Sequence, residues 1–398
     1  MSDFAFAVIG AGYGDEGKGL VTDYLASRLR NCVVIRSNGG AQAGHTVDCP
    51  TYGRHVFSHF SSGTYSGAAT HLSKYFIINP ILMEQEGKEL KIQPHTVTVD
   101  PRAIVSTVWD MAVNQILAWV NKKQNTCGVG INETLKRSQI YNISINDMII
   151  NSKSKNKKIF AKARDVSLER LKIHHGISLQ SVPHYFSDIF ISDMILNSMT
   201  DTFDRVLEKY ISIKRDEYIP SMYSNIIFEA AQGLMLDQNH KNYPFVTPSN
   251  TGSTNIKILI DDMKLSGVKN YYVSRCYETR HGEGPFPTES SNFMATDRTN
   301  KPNKFQGTLR IGKLDLNRLI YETTKDTKKA ANIIENTLVI TCMDQIKEEV
   351  PIYNIPNRRK YWLIEQLKRI TNFDRVLYSY GSTRERIVST KMAEYIEY

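Results

Sequence analysis

The sequence predicts an α/β fold: a large, mainly parallel central sheet with flanking helices and a P-loop-like phosphate loop. Three observations carry that reading. Short apolar, β-branched runs recur along the chain and end in Gly, Asn or Asp. Helix-period segments lie between several of them. The first run, Ala5–Ile9, opens directly onto a glycine-rich stretch closing with Gly17-Lys18-Gly19. Strands buried on both faces and alternating with helices form parallel sheets, because each connection must carry the chain back across a face of the sheet.

Taken in order, Ala5–Ile9 is the first strand and Gly17–Arg30 the helix that follows it. Cys32–Arg36, Tyr75–Ile78, Ile226–Phe228, Tyr271–Val273 and Leu338–Thr341 have the composition of further buried strands, and Val105–Val120 that of a second helix. Residues 150–224 are rich in Lys, Ile, Ser and Asn. They carry helical stretches at Ser167–Ile173 and Ser187–Tyr210, and an inserted or peripheral helical region is expected there. Within it, Lys153–Lys158 reads as a solvated loop rather than a nucleic-acid tract. Neither an internal repeat nor a linker interrupts the chain, so residues 1–398 are expected to form one large domain.

Composition excludes several classes. With 41% hydrophobic and 23% charged residues, the 398-residue chain supports a sizeable core. The net charge of +9 is spread along the sequence, which suits gathering anionic nucleotides better than binding nucleic acid, so no nucleic-acid partner is expected. Five widely spaced cysteines with no C-x-x-C pair argue against a disulfide framework or a zinc site. No apolar run approaches the roughly 18 residues a membrane span needs, and the N-terminus lacks a basic leader. The expected setting is the cytoplasm, or a host's cytoplasm if the source is viral, with no membrane partner.

Gly12-Tyr13-Gly14-Asp15-Glu16-Gly17-Lys18-Gly19 is phosphate-binding equipment: small residues turn several N–H groups toward one anion and Lys18 adds a compact positive charge. The spacing matches the first part of a P-loop, but Gly19 stands where Ser or Thr normally holds Mg2+. A dinucleotide fingerprint fails because Asp15 occupies its third glycine. An acid inside a phosphate loop is worth keeping if it takes a proton or binds the metal. The second segment, Gly39-Gly40-Ala41-Gln42-Ala43-Gly44-His45-Thr46, follows the strand ending near Arg36 and supplies His45 for proton donation to a phosphate oxygen. Phe228–Gly233 and Asn242–Asn250 carry amide and hydroxyl groups at strand ends. Glu278–Glu289 is a Gly/Pro-rich loop with an arginine, Arg280, able to grip an anion. Leu338–Asp344 ends a buried strand in a carboxylate suited to a purine's N–H groups, although a strand-end aspartate is as readily a helix cap.

In this order the segments resemble adenylosuccinate synthetases, from Gly10 to about Ile387. Gly14–Gly19 (GDEGKG), Ala43–Thr46 (AGHT), Ala231–Gly233 (AQG), Tyr243–Thr247 (YPFVT) and Thr279–Glu289 (TRHGEGPFPTE) recur with that family's spacing. The resemblance implies a ligase that joins L-aspartate to a 6-oxopurine nucleoside monophosphate with a nucleoside triphosphate and Mg2+, acting as a homodimer. It implies that Asp15 takes the N1 proton and ligates Mg2+, that His45 and Lys18 stabilise phosphoryl transfer, and that Gly44 offers a carbonyl to the metal. Gly14, Glu16, Gly17, Lys18, Gly19, Thr46, Asp344, Ser379 and Gly381 would bind the triphosphate nucleotide. Asn125, Thr126, Gln232 and Thr247 would bind the acceptor, with Lys136 or Arg137 as the basic residue contributed across a dimer. Arg280, Thr308 and Arg310 would hold aspartate.

Three departures bear on substrates. Cys342 replaces a lysine that completes the family's guanine-reading motif, so ATP becomes an alternative to GTP. The aspartate loop, Phe305–Lys313, keeps Arg310 and Gly312 but has Gly307 and Leu309 where arginines are expected. The acceptor-phosphate stretch Asn125–Gly130 is shifted by about one residue. The altered loop and lost lysine are similar to the family's phage branch, which builds 2-aminoadenylosuccinate nucleotides from dGMP, often with ATP or dATP. That branch typically replaces the loop aspartate, which this chain keeps, and Asp15 touches the reacting purine, so IMP is the favoured acceptor. A nucleotide-sensing protein on a decayed enzyme fold is the alternative from another class, motivated by the missing arginines.

Overall fold

The computed structural model describes residues 3–90, 93, 97–122, 126–291, 295, 307–330, 332–346, 349–370 and 372–397. Ten strands form one sheet: β1 (Phe4–Gly10), β2 (Cys32–Arg36), β3 (Ala69–Leu72), β4 (Val97–Val99), β5 (Ile211–Ile213), β6 (Asn225–Glu229), β7 (Gly267–Arg275), β8 (Ile333–Thr341), β9 (Arg375–Ser379) and β10 (Ile387–Ser389). Their order is β10-β9-β8-β7-β1-β6-β2-β3-β4-β5. Every neighbouring pair is parallel except β9 with β10. The chain first builds outward from β1 to β5, then returns to insert β6 beside β1 and continues to the other side with β7. The sheet's reversal of winding therefore falls at β1, the strand that carries the glycine-rich loop.

Period-two alternation explains why β1 is central. Ala5, Ala7 and Ile9 face a core shared with Ile256, Leu259, Ile260 and Met263 of the helix Ser253–Met263. Val8 and Phe6 face the opposite side, where Leu20, Val21 and Leu25 of the helix Lys18–Ala26 pack. A third core joins Trp109, Val113 and Ile116 to Phe160, Leu171, Phe190 and Phe203. It draws residues 150–224 against the far edge of the sheet, and that region ends by supplying β5.

Several expected elements shift. The strand expected at Tyr75–Ile78 reduces to Ile77–Ile78, which pairs with Ile104–Val105 outside the main sheet. Its place is taken by β3, Ala-Thr-His-Leu, whose Thr70 and His71 break the apolar pattern. Both are buried yet satisfied, Thr70 by Ser61 and His71 by Thr98 and Asp216. The second helix starts at Val108 rather than Val105 because Thr107 and Asp110 form a capping box. Ser187–Tyr210 is two helices, His184–Ile191 and Asp193–Tyr210, separated at Ser192, whose backbone is extended. Lys153–Lys158 is not a loop: it forms the first turns of the helix Lys153–His175, drawn into register by buried Asn156, Phe160 and Ala163, while its lysines stay exposed. Among the described residues no helix is long and apolar enough to cross a membrane.

Candidate active site

In a parallel sheet the C-terminal strand ends all point the same way, and their loops meet in one crevice at the reversal of winding. Here the loops after β1, β2, β6 and β7 border a cavity of about 1070 Å³, larger than one small ligand fills. Asp15, Lys18, His45, Gln232 and Arg280 all lie on its wall, as do Gly14, Gly17, Gly19, Gly44, Thr46, Thr126 and Thr247.

The loop after β1 is held from beneath. Glu16 turns its carboxylate away from the cavity: Oε1 accepts from the backbone N–H of Gly12 at 3.0 Å and Gly14 at 2.7 Å, and Oε2 accepts from Lys18 Nζ at 2.8 Å. The side chain of Glu16, a residue expected among the nucleotide contacts, braces the loop and ties Lys18 to it. Gly19, which breaks the P-loop pattern, has a packing reason. A Cβ there would sit 2.5 Å from the Thr46 carbonyl oxygen, so the helix approaches the strand His45–Cys49 too closely for Ser or Thr. Asp15 adopts φ 63°, a left-handed conformation costly for a non-glycine residue, and Arg275 Nε clamps its carbonyl at 2.6 Å. Its carboxylate Oδ2 accepts from His281 Nδ1 at 3.1 Å. Burial pushes this carboxyl's pKa up, but the His281 hydrogen bond and the charges of His281, Arg275 and Lys18 outweigh it and leave the group below its ordinary value.

His45 opens the hairpin of His45–Cys49 and Gly53–Phe57. Its Nδ1 lies 2.8 Å from Glu229 Oε1 and 3.0 Å from Arg36 Nη1, which itself donates to Glu229 Oε2 at 3.1 Å. Arg36 and Glu229 are the last residues of β2 and β6, adjacent in register and both fully buried. Ser62 donates its hydroxyl and its backbone N–H to the same carboxylate. Burial would raise Glu229, yet His45, Arg36 and Ser62 hold it well below the ordinary carboxylate range. Burial drives His45 down to about 4, against the upward pull of Glu229 and with a further downward push from Arg36. Its Nε2 has no hydrogen-bond partner among the described residues.

On the acceptor side, Thr126 donates to Asn114 Oδ1 at 2.8 Å and both line the cavity. Gln232 holds φ 64° at the end of the β6 loop. Asn125 lies outside the described residues. Of the two basic candidates, Arg137 is excluded by its packing: it is fully buried, 3.0 Å from Asp110, and donates to the carbonyls of Val105 and Tyr141. Lys136 is exposed, 3.1 Å from Glu133, and lines the cavity of its own chain, whereas the resemblance implies a basic residue reaching across a dimer. The expected aspartate residues are partly committed to protein groups, although Arg280 lines the cavity with a buried Nε that has no hydrogen-bond partner among the described residues. Arg280 donates to the carbonyls of Pro285, Phe245 and Glu283. Arg310 pairs with Glu289, with Nε to Oε1 at 2.9 Å, and Thr308 is exposed. Thr308 and Arg310 do not line the cavity, and neither do Asp344, Ser379 and Gly381. Asp344 follows β8, whose end touches the glycine-rich loop through Thr341 Oγ1, which donates to the Glu16 carbonyl at 2.7 Å, and Ser379 and Gly381 lie at and just after the end of β9. Asp344 is exposed, and Ser379 donates to the Gly381 carbonyl at 2.6 Å.

Sequence reasoning missed Arg36, Glu229, Arg275, His281 and Gln42. Arg36 and Glu229 share a readable signal, a charged residue closing an otherwise largely apolar buried strand. Gln42 faces the cavity with both amide atoms buried and unpartnered among the described residues. For a metal, no group of three or more His, Cys, Asp or Glu forms a cage among the described residues. Mg2+ needs less than that, one or two carboxylates completed by phosphate oxygens and water. Asp15 and the Gly44 carbonyl, both on the cavity wall, are a donor set of that kind.

A family model described as adenylosuccinate synthetase matches residues 7–376. Adenylosuccinate synthetase of Clostridium perfringens is 29% identical over 342 residues, covering 80% of this chain and 74% of that protein. Among solved structures, fully ligated adenylosuccinate synthetase from Plasmodium falciparum superposes with a TM-score of 0.73 at 17% identity, covering 97% of this chain and 99% of that one. The succinoaminodeoxyadenylate synthetase of cyanophage S-2L, bound to dGMP and to dATP as an energy donor, does so with a TM-score of 0.60 at 13% identity, covering 98% and 96%. Both structural likenesses are of fold.

Proposed function

The chain belongs to the adenylosuccinate synthetase family, and from that membership we propose a ligase that condenses L-aspartate with IMP at the expense of a nucleoside triphosphate, releasing the diphosphate and phosphate. The observation that carries the reading is that Asp15, Lys18 and His45 line one cavity, each backed by a buried or clamped partner. Oxygen at C6 is a poor leaving group, so it is phosphorylated first. Asp15 accepts the N1 proton as O6 attacks the terminal phosphorus, and the bond to the diphosphate breaks. Lys18 and the loop N–H groups stabilise the transferring phosphoryl group, and His45, protonated once the triphosphate's negative charge is beside it, donates Nε2–H to a triphosphate oxygen. The aspartate amine then attacks C6 and phosphate leaves. Asp15 and the Gly44 carbonyl would hold Mg2+, which when bound neutralises phosphate charge.

The acceptor monophosphate would meet Thr126, Gln232, Thr247 and Lys136, and a homodimer in the cytoplasm is the proposed working form. A second reading, dGMP with ATP or dATP, is favoured by Cys342 at the guanine-reading position and by the tied-off Arg310. The test is a matrix of acceptors (IMP, dGMP) against donors (GTP, ATP, dATP) with aspartate and Mg2+, read by phosphate release and the purine's ultraviolet shift. Turnover with IMP above dGMP is expected. The reverse ranking selects the second reading, and no turnover with any pair rejects the ligase.

A further inference from the structure

His281, in the loop after β7, lines the cavity and has no role in the steps above. We propose that His281 is a positioning residue for Asp15, its Nδ1–H holding Oδ2 at 3.1 Å so that Oδ1 is the oxygen presented to the acceptor's ring proton. This rests on the reading of Asp15 as the base. Asp15 is anchored at its backbone, where Arg275 Nε clamps the carbonyl at 2.6 Å and φ is 63°. That clamp leaves χ1 and χ2 free, and a carboxylate turning about χ2 presents either oxygen or neither. Lys18 Nζ donates to Glu16 Oε2 at 2.8 Å and acts on Asp15 through its charge. Among the described residues His281 is the side chain hydrogen-bonded to the Asp15 carboxylate.

The loop that delivers the imidazole is itself fixed. Arg280, 1% exposed, donates to the carbonyls of Pro285 at 2.9 Å, Glu283 at 2.8 Å and Phe245 at 3.1 Å. Arg310 Nη1 adds a bond to the Gly284 carbonyl at 2.9 Å. Gly282 and Gly284, at φ 75° and 111°, supply the left-handed turns the loop needs. Two arginines that sequence reasoning gave to aspartate thus hold the loop that carries His281.

The experiment compares wild type with His281→Ala and His281→Asn under the best acceptor–donor pair, with melting temperatures measured alongside. Alanine removes the donor. Asparagine keeps one, because its Nδ2 falls near the place of the imidazole Nδ1. His281→Ala should lower kcat about ten- to a hundredfold, the cost of a misplaced reacting group, with the acceptor KM within about threefold. His281→Asn should return kcat to within about threefold of wild type. Wild-type kcat in His281→Ala, or equal losses in both variants, overturns the inference and leaves the ligase standing. A wild type inactive with every pair overturns the ligase and this inference together.

Discussion

The two sides of the cavity are built on different plans. On the phosphate-facing side, Asp15, Lys18 and His45 sit at the ends of β1 and just beyond β2, and each is fixed by a second charged or polar group: His281 and Arg275, Glu16, and Glu229 with Arg36. On the recognition side, Thr126 comes from a loop, Lys136 from the helix Ile131–Ile140, and Arg280 and Arg310 from the two-stranded ribbon of Glu278–Arg280 and Arg310–Gly312, while Thr308, Arg310 and Asp344 stand outside the cavity wall. Of these, Arg280 and Arg310 are turned toward loop carbonyls and Glu289. Reaction geometry is set by the sheet and cannot drift without breaking the core. Recognition rests on loops and short peripheral elements, which tolerate exchange of residues such as Cys342, where the resemblance expects a lysine.

The hardest test of that contrast is Asp15→Asn. Loss of the base should lower kcat about a thousandfold while the donor nucleotide's affinity, measured by calorimetry, stays within about threefold. Near-normal kcat would remove Asp15 from the chemistry. Next in size is Glu229→Gln, which keeps the shape but loosens His45; kcat should fall about a hundredfold. Glu229→Ala strands the Arg36 charge in a buried site, and chemical denaturation should register a loss of about 3–5 kcal/mol.

The same contrast explains what the sequence could reveal. The central sheet was readable because β1, β2, β6 and the segments Tyr271–Val273 of β7 and Leu338–Thr341 of β8 are largely apolar and buried on both faces. β3 was not, because Thr70 and His71 look like loop residues until Ser61, Thr98 and Asp216 satisfy them. Asp15, Lys18 and His45 were readable from glycine spacing, since a backbone that approaches phosphate needs it. Their partners were not, because Glu229 and Arg36 meet only through strand register between β6 and β2. Spacing in the chain could not choose between Lys136 and Arg137 either. That choice depends on which face of the helix Ile131–Ile140 is buried, and Arg137 is on it.

Burial of His45 also predicts a pH signature. Its pKa is lowered from 6.5 to about 4 in the folded chain, so the unfolded state binds the proton more readily. The stability associated with a neutral His45 is therefore complete above pH 6.5 and drains away as pH falls toward 4. The loss amounts to about 3 kcal/mol by linkage. Denaturation curves of wild type and His45→Gln across that window should converge as the pH drops, since glutamine does not titrate. Parallel curves would mean that the imidazole is not held neutral.

On the recognition side effects should be smaller and confined to binding. Lys136→Ala should raise the acceptor KM about tenfold with kcat unchanged and stability within about 0.5 kcal/mol. Arg137→Ala should instead cost about 3–5 kcal/mol of stability, because Asp110 is left buried and unpaired. A KM effect at Arg137 without unfolding would reverse that assignment.

The smallest effect is expected at Asp344, and it bears on which donor the protein takes. An exposed carboxylate at the end of β8 competes with water for any N–H of the donor base, so its hydrogen bonds are worth about 1 kcal/mol, or roughly fivefold in affinity. With Cys342 where the resemblance expects a lysine, the carboxylate lacks the cation two residues before it that would complete a guanine-reading motif. Asp344→Ala should therefore weaken GTP and ATP by similar small factors in competition binding. A loss of more than about fiftyfold for one base alone would show that this rim is built as tightly as the phosphate-facing wall, and the contrast between the two sides would fail.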